Sequence, residues 1–303
     1  MTAPAVVLGS GFLGTATAAA FVASGRATTL VSRRTAPPPV GVEWVVGDLS
    51  DAALLRSLIT PGATVVFAAG PSVPAADEHD PRASAAALAP LIATAEAVRH
   101  TPSASLLFLS SGGAVYGEAD VLPIPEDHPL RPRSAYGAAK VAAESYLGYF
   151  ARRYGVAVTA LRCGNAYGPG QVARRGQGLV GELIAAAESG RPIPIWGDGS
   201  ITRDFVHVDD IATAITLLAD RHDLPLAVNL GSGVGTSVAA VIDTVADVVG
   251  RPLPTTSQPE RGFDAHHVAL DITRLRSLIP FTPLPLRDGI LRTWTGMVAD
   301  TVA

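Results

Sequence analysis

The chain has one cysteine, Cys163, so it can form no internal disulfide and no cysteine-rich zinc site. It has no basic excess either. Its 23 basic and 27 acidic residues leave a net charge of −4, which argues against a nucleic-acid-binding surface. No stretch approaches the roughly 18 uninterrupted apolar residues of a membrane span. The opening "MTAPAVVLGSG" has no basic segment ahead of its short apolar run, so it does not read as a signal peptide, and a cytoplasmic location is expected. Lysine is the scarcest charged residue. Of the 23 basic residues only Lys140 is a lysine, and arginine serves everywhere else.

What remains is a chain of 303 residues, 48% hydrophobic and 17% charged, able to bury a large core. Its first half alternates short β-branched runs with Ala/Leu-rich stretches. Strands are expected over 5–8, 28–32, 42–46, 64–68, 106–110 and 156–161, and helices over 12–24, 81–100 and 135–154. That alternation predicts βαβ crossovers and a parallel sheet covered on both faces. After Arg162 proline and glycine become frequent and the loops lengthen. A helix at 209–219 and a strand at 227–230 are expected to return to the sheet, and 238–249 and 288–298 to belong to a smaller cap.

The first strand runs straight into "GSGFLG", so Gly9, Gly11 and Gly14 match G-x-G-x-x-G, with Phe12 and Leu13 opening the helix. Such a turn lets backbone approach a pyrophosphate, which rests on the N–H groups at the helix start. Strand two ends in "VSRRT". An acidic residue there would bind both ribose hydroxyls of NAD, whereas Ser32, Arg33 and Arg34 suit a 2′-phosphate, so NADP(H) is favoured and NAD(H) remains open. Asp48 and Leu49 after the third strand, and Ala68, Ala69 and Gly70 after the fourth, are expected to complete the dinucleotide site.

In "SAYGAAKVAAE", Tyr136 and Lys140 stand four apart on a helix and so share a face. A neighbouring ammonium favours the phenolate and suits tyrosine to proton transfer. With six tyrosines and one lysine, a randomly placed lysine would follow a tyrosine by four only about 2% of the time. Ammonium and guanidinium are not interchangeable, so the single lysine at this spacing is informative.

With "SSGGAVYG", "PIPEDHPLRPRSAYGAAKVAAE", "LRCGNAYGPGQ" and "IWGDGSITRDFVHVDDIA", the chain resembles the extended short-chain dehydrogenases/reductases, in particular the sugar-nucleotide epimerase/dehydratase group and its UDP-hexose 4-epimerases. The resemblance implies an α/β fold: a Rossmann-type doubly wound parallel sheet with a smaller C-terminal substrate-binding domain. The expected division is 1–165 for the NAD(P)-binding domain, with a return segment at 204–232, and 166–303 for the substrate. It implies Tyr136 as acid/base and Lys140 as the group that bridges the nicotinamide ribose and lowers the tyrosine pKa. It places Asn165, Arg203 and Arg261 on the diphosphate of a UDP- or dTDP-hexose, a role for which both arginines suit bidentate phosphate recognition. It further implies a homodimer joined through 81–100 and 135–154.

Three departures stand out. Leu8 replaces the glycine that usually opens the nucleotide loop. Ala85-Ala86-Ala87 replaces a stretch that usually offers asparagine. Counted back from Tyr116, the usual serine or threonine position is Gly112. Ser111 is the adjacent candidate hydroxyl, usable if the chain has already turned, and Ser110 reads as structural. The expected reaction is hydride transfer on a nucleotide-linked hexose, with C4 epimerisation first. An NADPH-dependent ketoreductase acting on a 4-keto nucleotide sugar or another natural-product ketone is the alternative. A dehydratase is disfavoured because Gly113-Ala114 replaces an Asp-Glu pair. The reading from another class is a non-catalytic dinucleotide sensor or scaffold.

Overall fold

The structure, a computed structural model, describes residues 2–34, 37–70, 81–171, 178–259 and 265–302. Seven parallel strands form the main sheet. They are β1 (Ala5–Leu8), β2 (Thr28–Ser32), β3 (Glu43–Val46), β4 (Thr64–Phe67), β5 (Ser105–Ser111), β6 (Ala157–Cys163) and, after a three-residue β7 (Asn165–Tyr167), β8 (Ile193–Trp196) and β9 (Thr202–His207), the strand β10 (Ala227–Leu230). Their spatial order is β10-β6-β5-β4-β1-β2-β3. Strand order reverses between β1 and β4, which opens a crevice at the carboxyl ends of those strands.

Alternation along each strand divides the core. Ala5, Val7, Val66, Leu107 and Leu109 face one layer, with Ala18 and Phe21 of α1 (Phe12–Ala23). Val6, Leu8, Val65, Phe67, Leu106 and Phe108 face the other. Both faces are therefore apolar, as a sheet buried on two sides requires. The second layer holds α2 (Ala52–Leu58) and, after the short α3 (Pro81–Ala85), α4 (Leu88–Arg99). After the one-turn α5 (Gly112–Val115) it also holds the long α6 (Ala135–Tyr154). Helix α6 is well bounded. The Ser134 side chain accepts the Gly137 N–H, Arg152 and Arg153 occupy the last turn, and Gly155 closes it in the left-handed conformation at φ +68°.

The single helix expected over 81–100 is two helices. Pro90 has no N–H to give to the carbonyl of Ala86, and its ring crowds that carbonyl, so the helix restarts at Leu88 with proline in its first turn. Beyond α7 (Leu179–Ser189) and α8 (Val208–Leu218), the small sheets β11-β9-β7 and β12-β8 use β11 (Gly235–Ser237) and β12 (Thr255–Gln258). Together with α9 (Val238–Val249) and α11 (Leu286–Val302), which follows α10 (Thr273–Leu278), they enclose a separate apolar cluster that includes Leu183, Ile184, Val241, Val245 and Ile290. Helix α8 packs on α1, and β10 on β6. Among the described residues no helix is long and apolar enough to cross a membrane.

Candidate active site

The glycine turn at the end of β1 is shaped by close backbone approach. Gly9 has φ +112°, and a Cβ there would lie 2.7 Å from the Ala69 nitrogen. A Cβ on Gly14 would collide with the Gly9 carbonyl. Gly11 differs: a Cβ there would meet nothing within 4 Å. Gly11 is also the N-cap of α1, which carries no side-chain cap and no acidic residue in its first turn. The space beside Gly11 is therefore open, and no side chain compensates the partial positive charge of the first N–H groups of α1, which suits a pyrophosphate. Ala69 and Gly70 wall the opposite side of the crevice.

At the ends of β2 and β3, the Ser32 hydroxyl accepts the Arg34 N–H at 3.1 Å and donates to its carbonyl at 2.9 Å, leaving Arg33 and Arg34 exposed. Asp48 accepts the Ser50 N–H at 2.8 Å. That bond, with Arg33 nearby, holds its carboxyl below the ordinary value. The turn thus presents two guanidiniums and one carboxylate at the carboxyl ends of β2 and β3.

Tyr136 and Lys140 lie in the first two turns of α6, beside the end of β5. The Lys140 ammonium donates to the Leu109 carbonyl at 2.7 Å and sits 5.5 Å from the Tyr136 ring centre and 4.7 Å from that of Phe108. Both line a small pocket with Ala69, Gly70, Ser84 and Ala87. Burial pushes the ammonium down to about 8, with Glu144 opposing the shift. Lys140 thus releases its proton nearer neutral pH than an exposed lysine does, and it does so beside the Tyr136 phenol.

Beneath this pair lie Ser110, read from the sequence as structural, and Glu144 and Arg162, which sequence reasoning passed over. Ser110 faces the α6 layer, and its hydroxyl donates to Glu144 at 2.5 Å. The Arg162 guanidinium clasps the Glu144 carboxylate at 2.7 and 3.1 Å and also donates to the Tyr116 hydroxyl at 2.9 Å, which in turn donates to Asn229 at 2.6 Å. Burial pushes the Tyr116 phenol up to about 12. Glu144 stands one turn beyond Lys140, and that spacing was a legible signal for it. Burial likewise pushes the Cys163 thiol up to about 12, so it is unreactive.

The remaining candidates are scattered. Ser111 ends β5, half-buried, and makes no capping hydrogen bond to α5. Gly112 points its missing side chain into the core, where a Cβ would lie 2.6 Å from a Leu270 methyl and 3.0 Å from the Arg162 carbonyl. The Asn165 side-chain oxygen, Oδ1, lies over Gly113, 3.2 Å from where a Cβ would stand. Arg203 donates to the carbonyls of Thr202 and Ala265 at 2.8 and 2.7 Å. Arg261 lies outside the described residues.

Comparison with known proteins agrees with this geometry. Residues 5–231 match the model of the NAD dependent epimerase/dehydratase family. The chain is 34% identical to a UDP-glucose 4-epimerase of Mycolicibacterium smegmatis over 275 residues, covering 90% of this chain and 87% of that one. It is 30% identical to a dTDP-4-dehydro-6-deoxyglucose reductase of Escherichia coli over 61% of this chain and 58% of the relative. Its fold superposes on a Thermotoga maritima UDP-glucose 4-epimerase solved with UDP-glucose, with TM-score 0.91, 27% identity, and coverage of 99% of this chain and 100% of the other. A Thermus thermophilus UDP-glucose 4-epimerase in complex with NAD gives TM-score 0.87 at 27% identity, covering 97% and 99%. With this sheet, this glycine turn and this Tyr-Lys pair in place, the chain belongs to the NAD dependent epimerase/dehydratase family.

Proposed function

We propose that this protein inverts the C4 hydroxyl of a UDP-linked hexose by transient oxidation. The observation that carries the reading is the Tyr136–Lys140 pair, set one helical turn apart at the same edge of the sheet as the open N-terminus of α1. The Gly9–Gly14 turn, Asp48, Ala69 and Gly70 would hold a nicotinamide dinucleotide, which supplies a hydride acceptor and returns the hydride when bound. Tyr136 takes the proton of the sugar hydroxyl as the carbon becomes a ketone, and gives it back to the same oxygen when hydride returns to the opposite face of that carbon. Lys140 keeps the phenolate accessible and binds the cofactor ribose. Asn165, Arg203 and Arg261 hold the diphosphate, so the hexose turns over while the nucleotide stays anchored.

A second reading, net reduction of a 4-keto nucleotide sugar, is favoured by Ser32, Arg33 and Arg34, which suit the 2′-phosphate of NADPH. Assembly enters the proposal as well. Helices α4 and α6 pack together and leave Tyr146 and Tyr149 about half exposed, so we read this pair as a homodimer surface, which sedimentation at micromolar concentration tests. For activity, the purified protein is incubated with UDP-glucose and the products are separated by chromatography. UDP-galactose is the expected product. NADPH oxidation only with a 4-keto sugar nucleotide establishes the reductase instead, and no turnover with either leaves a binding protein.

A further inference from the structure

Glu118 is exposed to about half its extent, yet it is the meeting point of three chain segments. It lies two residues beyond Tyr116, in the turn that leaves α5. Its carboxylate accepts the backbone N–H of His266, at 3.0 Å to Oε2 and 3.3 Å to Oε1. Arg133 Nη1 donates to Oε2 at 3.2 Å, and Arg133 stands three residues ahead of Tyr136 in the lead-in to α6. The segment from Ala265 to Val268 is stitched on its other side to β9. The Thr202 N–H donates to the His266 carbonyl at 2.9 Å, the Val268 N–H donates to the Thr202 carbonyl at 3.2 Å, and Arg203 Nη1 donates to the Ala265 carbonyl at 2.7 Å.

One carboxylate therefore ties the residues ahead of Tyr136 to the peptide that fixes the Arg203 guanidinium. The Ala265 carbonyl that receives Arg203 and the His266 N–H held by Glu118 belong to the same peptide unit, so fixing one orients the other. A carboxylate close to a diphosphate site would ordinarily repel the ligand. Arg133 at 3.2 Å offsets that charge here, the His266 ring nitrogen Nδ1 also lies 3.8 Å from Oε2, and the hydrogen bond to the His266 N–H is left as the orienting effect.

We propose that Glu118 is a positioning residue for nucleotide binding, which holds the 265–266 peptide so that Arg203 is oriented toward the substrate diphosphate before substrate arrives. The inference rests on the reading of Arg203 as a diphosphate ligand. Glu118 touches no reacting atom, so its contribution is to affinity. In Glu118→Ala the KM for the sugar nucleotide rises about tenfold while kcat stays within twofold, as loss of uniform binding predicts.

The test is a double-mutant cycle with UDP as the probe, using calorimetry on the full chain. Arg203→Gln weakens UDP at least tenfold. Glu118→Ala weakens it about tenfold in the wild-type background and less than twofold in the Arg203→Gln background, because the group it orients is gone. NAD(H) affinity and Tm change little in all four proteins. If Arg203→Gln leaves UDP binding intact, the reading of Arg203 fails and the proposal falls with it. If Arg203→Gln weakens UDP but Glu118→Ala has no effect, or an additive one, the ligand reading stands and the positioning role is overturned. A joint loss of NAD(H) affinity and Tm in Glu118→Ala shows a general scaffold contact, which also overturns it.

Discussion

Lys140 donates to the carbonyl oxygen of Leu109 across 2.7 Å, a bond that ties the helix carrying Tyr136 to the strand ending at Ser111. Burial lowers its ammonium from the ordinary 10.5 to about 8. The folded protein therefore releases this proton at a lower pH than the unfolded chain does. Between about 8 and 10.5 the unfolded chain binds more protons, so the Lys140 contribution to stability rises with pH across that window. Activity should move the other way: if Lys140 supports a Tyr136 phenolate, loss of the ammonium near 8 should lower kcat/KM on an alkaline limb. Because the chain has one lysine, labelling with 15N-lysine yields a single side-chain resonance whose titration reads this pKa directly. A midpoint above 10 would refute the desolvation argument.

Removing the Tyr136 hydroxyl separates chemistry from binding. Tyr136→Phe should lower kcat more than 10²-fold, the lower edge of general acid–base contributions, while cofactor affinity measured by fluorescence stays close to wild type. Full activity in the variant would place the proton elsewhere.

The sheet was legible because its strands are short, β-branched and apolar on both faces, and because helices of ordinary length separate them. The glycine turn and the Tyr-Lys spacing were legible because each is a local pattern with a mechanical reason. What stayed hidden depended on contacts distant in sequence. Nothing near Pro90 announces that α4 restarts there except the missing N–H. Ser110, Glu144 and Arg162 come from three elements, and only the fold brings them together. Gly112 was only half legible for a similar reason: motif counting puts it in the slot for a hydroxyl, and only the fold shows that a Cβ there would meet Leu270.

A side chain at Gly112 should therefore cost stability without restoring a catalytic hydroxyl. Overpacking against Leu270 and the Arg162 carbonyl costs about 1–3 kcal/mol, offset by roughly 1 kcal/mol of improved helix propensity in α5. Gly112→Ala and Gly112→Ser should both lower Tm, with no gain in kcat for the serine variant. A faster serine variant with unchanged Tm would show that the slot does open into the site.

Glu144 holds the buried Arg162 charge, and both side chains are under 10% exposed. Glu144→Ala leaves that guanidinium with Tyr116 and the Glu126 carbonyl only, which should cost about 3–5 kcal/mol. Ser110→Ala removes one hydrogen bond to the charged carboxylate and should cost about 1.5–3 kcal/mol. Urea denaturation distinguishes the two, and the alkaline limb of kcat/KM in Ser110→Ala should remain near that of wild type, since Ser110 carries no charge.

The NADP(H) reading rests on Arg33 and Arg34. Both are exposed at the end of β2, and no carboxylate follows Ser32 there to take the ribose hydroxyls. A guanidinium beside a 2′-phosphate would form a charge-assisted bond worth about 1.5–3 kcal/mol, so one effective contact should give at least tenfold preference for NADP(H) over NAD(H). The site is open to solvent, which means that the preference should shrink as salt screens it. Calorimetry with both cofactors at low and at physiological ionic strength measures this, and Arg33→Ala with Arg34→Ala should abolish the preference while leaving NAD(H) affinity intact, because neither side chain supports the glycine turn. Equal or tighter binding of NAD by the wild-type protein would show that the two arginines only solvate the turn, and would favour an epimerase that recycles bound NAD, the cofactor in the Thermus thermophilus neighbour's complex.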